Sequence, residues 1–411
     1  MKIINKKIII TAALFITMFL VDADISEEKN TGSSQEGVEM IVNANNRFTF
    51  DLYGRLNDSK DQNIFYSPYS ILTALAMTYE GAKGQTAEQM QAVLHIPENA
   101  DIRRPGFSGI YDIINKKDSE YKLSTANALW AQKNYEFLEA YIECIKEYYG
   151  GEVTNLDFAG AAEESRQIIN KWVEDQTNKK IKDLIPQGML SAMTRLVLTN
   201  AIYFKGIWIK QFDEKETYEE DFRTNAGDTV KVLMMRLCGH DARFKYTEND
   251  EVQILELPYK GDELSMLIIL PKDDLTSVEG MLSLETLSTW QNMLYAQRVD
   301  IYIPRFKFKT KYLMADILSD MGMPVAFSAG ADFSGMDGTR ELFIQNVIHQ
   351  AFVEVNEEGT EAAAATAVVM EATSAVRHIP VFRADHPFIF MIKQTSTNNI
   401  LFMGRVSDPS E

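Results

Sequence analysis

From Glu357 the chain reads Glu-Glu-Gly-Thr-Glu, then four alanines, Thr366, Ala367, Val368, Val369, Met370 and Glu371. Taken at period two, one face carries Thr360, Ala362, Ala364, Thr366, Val368 and Met370, with no charge. The other carries Glu361, Ala363, Ala365, Ala367, Val369 and Glu371, so both acids fall on one side. Side chains of a strand alternate between faces, so this segment fits a sheet that has one face in a dry core. It fits equally an alanine-rich helix opening at Thr360, because alanine heads the helix scale and threonine caps helix starts. The run alone leaves both open, and the rest of the chain has to choose.

The chain has 411 residues, 45% hydrophobic and 24% charged, enough apolar mass for a large core. Its net charge of -18 argues against nucleic acid or an anionic membrane as main partner, since phosphate binding needs concentrated Lys and Arg. Lys2, Lys6 and Lys7 precede an apolar stretch from Ile8 to Val21, and Val21-Asp22-Ala23 offers small residues for cleavage. That pattern predicts an export signal over residues 1–23 and a secreted or extracytoplasmic protein, off the membrane once the signal is removed. A retained anchor is the competing reading, but a span normally needs about twenty apolar residues. The polar tract Asp24 to Gly37 lacks periodicity and is expected to be mobile, leaving 38–411 as a single domain. Cys144 and Cys238 are expected to be free, partly buried thiols.

Helical spacing dominates the first third. Met40, Ile41, Ala44, Phe48, Leu52 and Leu56 form one stripe, and Ser67-Pro68 opens a second helix with a capping hydroxyl followed by proline. Thr86 and Gln89 suit a capping box for a third. Ile168, Ile169, Trp172 and Val173 read as a core stripe. The second half changes period: 197–204, 254–257, 264–270, 299–303, 347–355, 388–392 and 400–403 read as strands, interrupted by a helical patch over 312–321. The run 264–270 is nearly all apolar and stops at Pro271, as a strand covered on both faces should. Helices first and strands later predict a large α+β domain.

Motifs of catalysis are missing. The five histidines (His95, His240, His349, His378, His386) are scattered, with no His-Glu-x-x-His helix. No Gly-x-Ser-x-Gly elbow, phosphate loop or dinucleotide fingerprint occurs. The reading is therefore of a non-enzyme without metal or cofactor.

Several stretches together resemble the serpin family from about residue 40 to 409: Asn63 to Ile71 (NIFYSPYSI), Thr199 to Gly206 (TNAIYFKG), Ala331 to Met336 (ADFSGM), Phe382 to Phe390 (FRADHPFIF), the Glu-Gly-Thr hinge and the closing Leu401 to Arg405. The resemblance implies three β-sheets, eight or nine helices and an exposed reactive loop from about 357 to 379. It also implies a covalent trap for a serine protease, formed one to one by a monomer. The protease attacks the loop as bait, giving an acyl-enzyme. The severed loop then adds to the largest sheet, and serpin loop insertion is itself a known example of strand addition and released strain. About fifteen residues at ~3.3 Å each give a strand of roughly 50 Å, carrying the protease far from where it docked. Its distorted triad and oxyanion hole no longer deacylate.

The same resemblance assigns roles. Glu357, Gly359, Thr360, Glu361, Ala362, Ala363, Ala364, Ala365 and Thr366 form the hinge, whose small neutral residues enter the sheet without burying a charge. A clean hinge of this kind marks inhibitory members. Ser67, Ser70, Asn200 and His349 correspond to a polar latch beneath the opening sheet, and Trp208 to the point where the loop first enters. For Ser67 the plain alternative is a helix cap, for His349 a satisfied core histidine, and for Trp208 ordinary packing. Counting seventeen residues from Glu357, as the family's inhibitors do, puts the reactive bond at Thr373-Ser374. A small neutral Thr373 suits elastase-like or subtilisin-like pockets, whereas the alternative bond Arg377-His378 suits a trypsin-like one. A cross-class inhibitor of cysteine proteases and a non-inhibitory member are the remaining alternatives.

Overall fold

Ser67 caps a helix as its sequence predicts. Its backbone is extended, its hydroxyl accepts the Ser70 N–H, and Pro68 occupies the first position of the helix Pro68–Tyr79, which is buried along its whole length. That helix packs against Lys122–Gln132 and Leu196–Ile207 of the main, six-stranded sheet and against Ile400–Val406 of the seven-stranded one. The computed structural model describes residues 26–57, 61–116, 119–239, 242–360 and 379–410. Among them are eight helices of eight residues or more, two shorter ones and three sheets, the α+β class expected.

The main sheet has six strands in the order Phe306–Leu313, Ile344–Val355, Gly359–Thr360, Leu196–Ile207, Lys122–Gln132 and Glu152–Leu156. A seven-stranded sheet runs Ile64–Tyr66, Ile400–Val406, Phe388–Gln394, Leu264–Pro271, Val252–Pro258, Arg243–Glu248 and Tyr295–Arg298. The small sheet joins Val381–Arg383, Asp300–Pro304, Thr229–Leu237 and Tyr218–Arg223. Leu264–Pro271 is the middle strand of seven and is buried at every residue, which explains its unbroken apolar run. The helix Phe158–Gln176 carries a second, smaller core of its own with the main sheet, where Trp172 meets Trp130 edge-on at 5.3 Å.

Four local expectations are corrected. The first helix begins at Ser26, well ahead of the stripe that opens at Met40, and takes in most of the tract from Asp24 to Gly37 that lacks periodicity in sequence. Gly37 packs against the helix Ala100–Ile114, where an added Cβ would come within 2.6 Å of the Ile102 carbonyl oxygen. Such tertiary packing can extend a helix through residues whose own propensity is poor. Thr86 and Gln89 do not form a capping box, because the helix Gly84–Leu94 starts ahead of both. Their side chains instead accept the backbone N–H groups of Asp332 (2.9 Å) and Val325 (3.0 Å). The helical patch at 312–321 begins only at Met314, because Tyr312 and Leu313 end a strand of the main sheet. Ile168 stays 45% exposed and leaves the core stripe to Ile169, Trp172 and Val173.

Candidate functional site

The two longest strands of the main sheet form a parallel seam. Ile344–Val355 pairs directly with Leu196–Ile207 from Ile344↔Leu196 to Phe352↔Tyr203. Beyond Phe352 the strands part, and Gly359–Thr360 occupies the space between them. Thr360 pairs antiparallel with Val355 on one side and Gly206 on the other. The seam is thus closed at one end and forked at the other, and the chain that fills the fork is the start of the segment 357–371.

A tight turn sets that geometry. The Asn356 N–H donates to the Gly359 carbonyl (2.9 Å), and the Asn356 side chain accepts the N–H groups of Glu358 (3.1 Å) and Gly359 (3.3 Å). The chain just past the strand Leu196–Ile207 holds the turn from the other side. Trp208 N–H donates to the Glu358 carbonyl (2.8 Å), Phe212 N–H to that of Glu357 (2.9 Å), and the Trp208 indole to that of Asn356 (3.0 Å). Gly359 has to be glycine here, since a Cβ would lie 2.0 Å from the Gly206 carbonyl oxygen. Thr360 is 2% exposed, and its hydroxyl shares a 2.7 Å hydrogen bond with the Tyr259 hydroxyl. Tyr259 stacks in turn on Trp208, ring centroids 4.4 Å apart. Burial drives the Tyr259 phenol well above its ordinary range, so this contact is between neutral hydroxyls. The Glu357 carboxylate takes charge-assisted bonds from Arg305 Nε (2.7 Å) and Nη2 (2.6 Å) and a bond from Thr217 Oγ1 (2.5 Å).

Six residues back along Leu196–Ile207, about 20 Å away at the strand rise, lies a polar cluster. Register aligns Tyr312, His349, Asn200 and Asn127 in one row across the sheet. His349 Nδ1 bonds Asn200 Oδ1, and its Nε2 accepts the Ser67 N–H (3.1 Å). Asn200 Nδ2 donates to Ser70 Oγ and Asn127 Oδ1, both at 2.5 Å, and Ser67 Oγ donates to the Leu401 carbonyl (2.6 Å). Desolvation pushes the His349 imidazole down to about 3, against a smaller upward pull from its bond to Asn200, so the ring is neutral.

Ser67, Ser70, Asn200 and His349 therefore come together, while Trp208 belongs with the hinge at the fork. Glu361 to Thr366, the bond Thr373-Ser374 and the alternative Arg377-His378 lie outside the described residues. Sequence reasoning missed Asn127, Tyr259, Asn356, Thr217, Arg305 and Glu358. Asn127 had one available signal, an amide amid the small residues of Ser124-Thr125-Ala126-Asn127-Ala128, but its meaning depends on pairing with Asn200. Among the described residues no cluster of His, Cys, Asp or Glu could hold a metal ion, and no helix is long and apolar enough to cross a membrane. Cys144 and Cys238 are both free, and burial pushes the Cys144 thiol up to about 11.

Three sheets, a forked parallel seam in the six-stranded one and a chain segment seated at its mouth define an α+β class. A sequence model of the serpin (serine protease inhibitor) family matches residues 43–409, and the chain belongs to the serpin family. It is 46% identical over 384 residues to a serpin-like protein of Thermococcus kodakarensis, covering 92% of this chain and 88% of that one. Serpin B3 of Homo sapiens is 45% identical over 388 residues, covering 90% of this chain and 99% of its own. Among solved structures, uncleaved ovalbumin superposes with a TM-score of 0.81 at 34% identity, covering 90% of this chain and all (100%) of that one. Human thyroxine-binding globulin, complexed with thyroxine, gives 0.83 at 31%, covering 91% of this chain and 100% of its own. Members of the family are in general protease inhibitors rather than enzymes, although some do not inhibit.

Proposed function

We propose that this serpin is an exported suicide inhibitor of serine proteases. Its loop from about 357 to 379 is cut as bait, and the acyl-enzyme is trapped as the severed segment enters the main sheet. The observation that carries the reading is the fork: Gly359 and Thr360 are paired between the two strands that insertion must part. The residues due to follow on the core-facing side are Ala362, Ala364 and Thr366, none charged. A segment without bulk or charge meets no desolvation penalty as it enters, which favours insertion ahead of deacylation. The polar cluster around His349 supports the same reading, because hydrogen-bonded groups have alternative satisfied arrangements that close-packed apolar ones lack.

Thr373-Ser374 is the proposed reactive bond, directing the inhibitor to proteases with small or shallow primary pockets. Export rests on the basic and apolar opening residues, and a one-to-one covalent complex of a monomer follows from the mechanism. The test is Thr360→Arg. Burying a guanidinium at the fork costs several kcal/mol, so the variant should be cleaved by an elastase-like protease yet give no stable complex on a denaturing gel. Undiminished complex would remove the proposal. Mass spectrometry of the released peptide fixes the bond, and a break after Arg377 would transfer the specificity to trypsin-like enzymes.

A further inference from the structure

Two adjacent glutamates in the hinge turn are treated very differently. Glu357 is met by Arg305 and Thr217, whereas Glu358 is 7% exposed and its Oε2 is buried with no hydrogen-bond partner. The backbone of Glu358 is held on several sides. Its carbonyl accepts from Trp208 N–H (2.8 Å) and Gln211 Nε2 (3.5 Å), and its N–H donates to Asn356 Oδ1 (3.1 Å). The turn therefore fixes where the side chain leaves the backbone, with Oε2 buried and unpaired. Burial is the largest influence on this carboxyl and raises it above its ordinary value of 4.5. Glu214, from the short turn Glu214–Glu216, pushes the same way, as does Glu357 beside it, and Lys205 on the strand Leu196–Ile207 pulls against them. A carboxylate with one oxygen buried and unpaired destabilises, when ionised, the conformation that buries it.

We propose that Glu358 is a proton-sensitive catch on the hinge: neutral, it lets residues 356–360 rest in the fork, and ionised, it works them loose. The inference builds on the reading of these residues as the start of an inserting loop. The sign follows from linkage. With the turn released the carboxyl titrates near its ordinary 4.5, and with the turn seated it titrates higher. Seating is therefore strongest below the ordinary value and weakens as pH rises toward the raised one, after which it is constant. In acid the turn 356–360 stays docked, and toward neutrality it is freed.

The experiment is amide hydrogen exchange on the intact full chain between about pH 4 and pH 8, corrected for intrinsic exchange. It is read at Trp208 and Phe212, whose N–H groups bond the hinge carbonyls. Protection in the wild type should fall severalfold with rising pH. Glu358→Gln, isosteric and uncharged, should keep its acid-side protection throughout. Glu214→Gln leaves the turn intact but removes a like charge, and should make the fall shallower. Flat wild-type protection, or a fall in Glu358→Gln parallel to the wild type, would overturn the proposal. Covalent complex with an elastase-like protease is measured alongside. A pH-dependent hinge without complex would support the catch and count only against the inhibitor reading.

Discussion

His349 has both ring nitrogens committed, one to Asn200 and one to the Ser67 N–H, and its neutral state is what allows the second to accept. Its folded value stands near 3 against 6.5 for the free side chain. A depressed histidine favours the folded state while neutral, so that contribution is present above pH 6.5 and is lost as pH falls through 6.5 toward 3. Denaturant midpoints of the intact protein should drop across this window. His349→Asn should drop less steeply over it, while being less stable at pH 8 by about 2 kcal/mol, because a buried N–H at Ser67 loses its acceptor. An equally steep acid limb in the variant would show that the titrating group lies elsewhere.

At the scale of elements, the fork depends on close approach. A Cβ on Gly359 would strike the Gly206 carbonyl, backbone against backbone, while one on Gly206 would fall 2.6 Å from Phe204 Cζ and 2.7 Å from Tyr259 Cδ1, both ring atoms. Gly359→Ala should therefore displace the Gly359–Thr360 strand and lose the bond from Trp208 N–H to Glu358. Exchange at that amide should rise at least tenfold, the equivalent of about 1.4 kcal/mol. Unchanged protection would mean that the turn adapts. The fork also shows where sequence ceased to inform. Leu264–Pro271 was legible because its burial on both faces leaves an unbroken apolar run. Lys122–Gln132, an inner strand of the main sheet, was not: Ala126, Ala128 and Ala131 are good helix formers, and only pairing with Leu196–Ile207 makes the segment a strand. The polar row failed for the same reason, since Asn127 and Asn200 are brought together by register rather than by spacing. Tyr259 meets Thr360 across a sequence separation of 101 residues, which no local pattern encodes.

For the molecule as a whole, the proposed mechanism requires the intact fold to lie above the fold with its loop inserted. About fifteen further residues would each gain backbone bonds worth about 1 kcal/mol net, so nicking the loop should stabilise the protein by on the order of 10 kcal/mol. Calorimetry of nicked against intact protein should find a much higher melting temperature for the nicked form. Equal melting would mean that no energy is stored. The proposed mechanism would also let the fork take a neighbour's loop, so gentle heating of concentrated intact protein should yield chains of linked molecules, visible on a native gel. The contact between Gly206 and Gly359 carries a final consequence. At that crossing there is no graded series of side chains to try, because the smallest addition already overshoots the space. Evolution there faces a yes-or-no choice, and any gradual adjustment of how firmly the fork is filled has to be made at the neighbours, Thr360, Tyr259 and Glu358.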